Sequence, residues 1–148
     1  MPSYSRIAKR TLGIAAAVCV VGCNQLMPAK NSSPEGLLAG TTWQLQLLGT
    51  QGALEAQQPT LEFDKGNKIS GTGSCNHFNG TVTVSGKSMS VSPLASTRMA
   101  CAAALNQQEQ TYFAALQQAE WFLIAGTTLT IYTRAMDQPL VFFRTQPQ

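Results

Sequence analysis

After Thr42 the chain alternates apolar and polar side chains in short runs. Trp43-Gln44-Leu45-Gln46-Leu47 sets the pattern, and a period of two puts every second side chain on one face of a strand. The alternation returns over 60–71, interrupted by Lys65-Gly66-Asn67, and so predicts a hairpin. It continues over 78–84 and 88–91 around Ser85-Gly86-Lys87, and again over 121–124, 128–133 and 140–144. One stretch breaks the rhythm. Residues 106–119 hold no Gly or Pro and are rich in Gln, Ala and Leu, all compatible with a helix. Leu105, Tyr112, Phe113, Leu116 and Ala119 fall near one face at helical spacing, and the two rings read as core. Glu109 falls on the same stripe. The pattern predicts a mainly β fold: a small antiparallel curled sheet or barrel of seven to eight strands with one helix packed on it.

The first residues follow a different pattern. Arg6, Lys9 and Arg10 precede the uncharged run 12–21, the layout of a secretory signal. Ten helical residues span about 15 Å, half of a hydrocarbon core of about 30 Å, which is too short for a membrane span. Val20-Val21-Gly22-Cys23 resembles the bacterial lipobox, in which the Cys is acylated and the chain is cut before it. Residues 1–22 are therefore expected to be a lipoprotein signal peptide. Residues 23–37, with two Pro and two Ser, are expected to be lipidated Cys23 and a tether. Residues 38–148 form the domain. Asn24, where an Asp would signal inner-membrane retention in many Gram-negative species, points to an outer membrane lipoprotein facing the periplasm. The periplasmic face of the inner membrane is the alternative.

Composition refines this picture. Charged residues make up 11% and apolar residues 44%, a balance that favours a packed core over disorder. The formal charge is +3. Cleavage before Cys23 removes three cations and no acid, leaving seven of each sign. The positive excess thus belongs to export. With no basic run in the domain, nucleic acid is not an expected partner. Of the four cysteines, Cys19 leaves with the signal and Cys23 takes lipid. Cys75 and Cys101 remain as an even pair, a candidate disulfide in an oxidising compartment. Two buried free thiols are the alternative.

Two segments carry a family resemblance. Gly73-Ser74-Cys75-Asn76-His77-Phe78-Asn79-Gly80 and Thr97-Arg98-Met99-Ala100-Cys101 resemble, in order and spacing, the paired motifs of the META domain, the family of the heat-shock protein HslJ. Trp43, the Leu61-Glu62-Phe63 strand, Glu109 and the Leu129-Thr130-Ile131 strand match as well. The resemblance implies an envelope or secreted protein, often lipid-anchored in bacteria, with a compact barrel-like fold. It also implies a role in stress tolerance, and no agreed enzymatic activity comes with it. Relatives often carry a basic residue where His77 stands.

The motif residues each admit a structural reading. Asn76, His77, Phe78, Asn79 and Gly80 read as a turn into the following strand, or as a binding loop. Cys75 and His77 share a face if extended, yet a cysteine enzyme also needs a thiolate, an orienting group and an oxyanion hole. Zinc would need a fourth ligand beside Cys75, His77 and Cys101. No catalytic residue, metal or cofactor is therefore expected. Arg98 precedes the helix and Glu109 sits on its apolar stripe; an Arg98–Glu109 ion pair is the expectation, because buried charges are rare unless paired, and two solvated charges are the alternative. The function expected is that of a non-catalytic, lipid-anchored envelope protein serving stress tolerance or maintenance by binding an unidentified envelope partner. The alternatives are a lipocalin-like small-ligand binder, and an inhibitor of a periplasmic or cell-wall hydrolase with a protruding loop near 75–80.

Overall fold

The computed structural model describes residues 34–145. The expected signal peptide, residues 1–22, and Cys23 lie outside these residues. Among the described residues a short helix, α1 (Pro34–Leu38), is followed by β1 (Thr41–Leu48), β2 (Gln51–Gly52), a 3-10 turn (Glu55–Gln57), β3 (Thr60–Phe63), β4 (Lys68–Thr72), β5 (His77–Ser85), β6 (Ser88–Val91) and β7 (Ala95–Ser96). Helix α2 (Ala103–Leu116) then leads into β8 (Ala119–Ala125), β9 (Thr128–Thr133) and β10 (Leu140–Arg144). Neighbouring strands run in the order β10-β9-β8-β6-β5-β4-β3-β1, and β1 returns to pair with β10. Eight antiparallel strands thus close into a barrel. The two-residue strands β2 and β7 are additions on β1 and β5.

Alternation gives the closed sheet an apolar inner face. An eight-stranded barrel has an interior that side chains just fill. Trp43, Leu45, Leu61, Leu129, Ile131 and Phe142 point inward and are fully buried. The chain also departs once from strict alternation. Trp43, Leu45 and Leu47 are expected on one face, but a bulge in the β1–β10 register falls between Leu45 and Leu47. The extra residue turns Leu48 inward and leaves Leu47 41% exposed. The 60–71 hairpin forms as β3 and β4. Its turn is fixed by Asp64, whose Oδ1 accepts from the Gly66 and Lys68 amides at 2.7 and 3.1 Å.

The two helices cover opposite mouths. On α2, the buried Tyr112 ring meets Phe78 on β5 and Phe142 on β10. These strands lie diametrically across the barrel, so α2 spans its opening, and the Tyr112 hydroxyl donates to the Thr60 carbonyl at 3.2 Å. At the other mouth Leu38 of α1 is buried in the core and borders Phe63, Val82 and Val84. The Thr41 hydroxyl donates to the Leu38 carbonyl. Helix α1 occupies residues expected to be tether, because Leu38 gains burial there. Helix α2 is expected over 106–119 and runs three residues earlier. Its first turn forms when the Asn106 amide donates to Ala102 O and the Asn106 side chain donates to Cys101 O. At its end, Gln118 N bonds Ala115 O. Ala119 then joins β8 opposite Thr133. Among the described residues no helix is long and apolar enough to cross a membrane.

Candidate functional site

The two motifs meet at the mouth that α2 covers. The Gly73–Asn76 segment turns tightly between β4 and β5, with Gly73 N donating to Asn76 O at 2.8 Å. Ser74 takes a φ of +116°, rare for a residue with a side chain. A side chain at Gly73 is excluded by packing: its Cβ would stand 2.5 Å from a Phe113 ring carbon and 2.7 Å from Glu109 Cγ. The helix lies directly on this turn, and only a bare backbone leaves room for it.

The turn aims two successive amides at one carboxylate. Glu109 Oε2 accepts from Cys75 N at 3.0 Å and Asn76 N at 2.6 Å, while its Oε1 accepts from Asn76 Nδ2 at 2.7 Å. Consecutive backbone amides in such a concavity form an anion-binding nest. Here the anion is a side chain of the protein itself. Asn76 completes the hub. Its Oδ1 accepts from the Thr97 hydroxyl at 2.9 Å and Met99 N at 2.7 Å. Beside it, the Cys75–Cys101 disulfide ties the same two segments, with Cα atoms 6.1 Å apart. Gln108 extends the network, accepting from Leu54 N at 2.8 Å and donating to Ser74 Oγ at 2.7 Å.

This geometry corrects the expected ion pair. Glu109 is 7% exposed, as a residue on the apolar stripe should be, but Arg98 is exposed and does not pair with it. Three N–H groups satisfy the carboxylate, and a desolvated guanidinium is not needed. Among the described residues the one ion pair is Arg134–Glu120 at 3.2 Å, between exposed side chains. Of the motif, Asn76 and Phe78 are buried, His77 and Asn79 are exposed, and Gly80 is partly covered. Phe78 meets Tyr112 and Phe113 edge-on at 6.0 and 5.2 Å. The expected protruding loop over 75–80 does not form, because 75–76 is buried and 77–80 belongs to β5. Cys75 is bridged and has no thiol to ionise, so the Cys–His pairing has no nucleophile. Among the described residues no group of three or more His, Cys, Asp or Glu side chains could hold a metal ion.

The sequence pattern flags Asn76 and Glu109 but does not join them, since 33 positions separate them. It passes over Gln108, and it quotes Ser74 and Thr97 as motif positions without giving either a role. Gln108 carries a usable signal, a polar residue next to Glu109 on the side of α2 that meets the barrel. The other two are small polar residues of ordinary loop type.

A family model for the META domain matches residues 36–147. Among solved structures, one determined by NMR is 26% identical, with a TM-score of 0.61, covering 74% of this chain and 92% of the other. An NMR structure of a protein from Burkholderia xenovorans is 24% identical, with a TM-score of 0.62, covering 95% of this chain and 100% of the other. A crystal structure of a DUF4847 family protein from Bacteroides vulgatus is 12% identical, with a TM-score of 0.56, covering 77% and 99%. The last two likenesses concern the fold alone. No curated protein matches the chain. The matched region contains both motifs, the disulfide and the Glu109 nest, and the chain belongs to the META domain family.

Proposed function

We propose that this protein is lipid-anchored in the cell envelope and acts without catalysis, binding an envelope partner in stress tolerance or maintenance. The observation that carries this reading is the filled barrel. Trp43, Tyr112, Phe122 and Phe142 are among the largest fully buried side chains, and they occupy the space in which a carrier would hold an apolar ligand. Recognition is thereby moved to the outer surface. The buried hub supports the same reading, since a nest already filled by Glu109 holds the motif rigid and leaves no amides for a substrate anion. The cations Arg6, Lys9 and Arg10, the apolar run 12–21 and Cys23 support the envelope location, and Asn24 supports the outer membrane.

Crosslinking in intact envelopes, followed by pulldown of the full-length protein, tests the proposal. A partner enriched over an unrelated lipoprotein is the expected result. Absence of any enriched partner, or turnover of an envelope substrate that His77→Ala abolishes, would overturn it.

A further inference from the structure

The outer side of β8, β9 and β10 forms a face of its own. Register places Trp121 opposite Tyr132, Leu123 opposite Thr130, and Thr130 opposite Val141. The next row is Ala125, Thr128 and Phe143. No residue in these rows is charged. Trp121 lies flat on Tyr132, with ring centroids 3.6 Å apart and planes within 6°. Exposure here is high for apolar side chains: 41% for Trp121, 40% for Leu123 and 51% for Phe143. Single exposed apolar residues are ordinary, whereas a contiguous group marks an interaction surface.

The face adjoins the point where the N-terminal chain enters the barrel. Leu37 of α1, 44% exposed, lines a cleft of about 270 Å³ with Lys87, Phe122, Leu123 and Ile124. Lys87 thus stands at one border of the face. Arg144, next to Phe143 on β10 and opposite Trp43, projects to the other side of the strand, its guanidinium 5.4 Å from the Trp43 ring centroid. From Cys23 to Leu37 the chain has fourteen steps, which can span at most about 50 Å.

We infer that this face rests on the phospholipid surface. Leu37, Leu123 and Phe143 enter the headgroup region, Lys87 meets lipid phosphates, and the Trp121–Tyr132 pair sits at the level where amphipathic rings collect. Exposed apolar side chains beside a cation are the chemistry of interfacial binding. The inference rests on the proposed lipidation of Cys23, which would hold the domain within a tether's length of the bilayer.

The chain from residue 24 onward keeps the whole barrel and both helices and carries no acyl group, so it tests the face without the anchor. It is mixed with phosphatidylcholine vesicles, with and without added phosphatidylglycerol. Trp121 serves as the probe, since Trp43 is fully buried. The expected result is a blue-shifted Trp121 emission, quenched by brominated lipid, on the anionic vesicles. Leu123→Gln with Phe143→Gln, and separately Lys87→Gln, should weaken binding by about tenfold or more, with near-ultraviolet circular dichroism unchanged. Failure of the wild-type chain to bind anionic vesicles would overturn the inference. So would equal binding by folded variants, or self-association through this face in place of vesicle binding. The mass of Cys23 in protein from native membranes tests the anchor separately, and vesicle binding stands or falls without it.

Discussion

Glu109 carries more of the structure than any other charged residue described. Its carboxylate is buried, and three donors converge on it from Cys75 and Asn76. Truncation would leave those donors without an acceptor, and each buried orphan costs about 1–3 kcal/mol. Glu109→Ala should therefore destabilise the domain by about 3–5 kcal/mol, read as a lowered denaturant midpoint. Arg98→Ala should stay within about 0.5 kcal/mol of wild type, as for an exposed residue with no partner. An equal effect of both would restore the ion pair. Tyr112 gives a pH signature. Burial pushes its hydroxyl pKa well above the ordinary tyrosine value. Above about pH 10 the unfolded chain ionises this group while the folded barrel keeps the proton. The folded state then binds more protons, so stability falls as pH rises, by about 1.4 kcal/mol per pH unit from this group. Below about pH 10 the contribution is constant. Tyr112→Phe should flatten the alkaline slope by that amount in urea titrations at graded pH. At this scale the sequence exposes residue types, such as a Glu on an apolar stripe, but not the partner. The nest depends on Ser74 adopting a positive φ, and no local pattern announces that.

Among the elements, the helix and the two motif segments behave as one unit. The disulfide closes a loop of 26 positions from the end of the β4–β5 turn to the approach to α2. Loop entropy alone assigns this bridge about 3–4 kcal/mol. Reduction, or the Cys75→Ser Cys101→Ser pair, should lower the melting temperature on the order of 10–20 °C for a domain this size. An unchanged melting curve after reduction would show that the Glu109 hub holds the segments alone. Strands were legible because alternation is written locally in 43–47, 60–71 and 128–133. The β1 bulge was not, since it arises from pairing with β10 about a hundred positions away. The helix was legible in kind and displaced by three residues, because Asn106 and Cys101 set its start through a bond outside any apolar period.

As a whole molecule the barrel combines a solid interior with a polar mouth held shut by α2 and an apolar outer face near α1. Its external behaviour should depend on Cys23. Cys23→Ala should yield uncleaved or soluble protein, measured by mass and by membrane fractionation, and an unchanged distribution would rule out the anchor. The sequence by itself determined the fold class, the cysteine pair and the family, because each rests on short-range spacing or on residues adjacent in the chain. Only the tertiary structure decided that the barrel closes, that Glu109 binds backbone amides in place of Arg98, and that Trp121, Leu123 and Phe143 share one outer face. Those facts join positions far apart in sequence, and their energies depend on burial and register, which exist only once the strands have met.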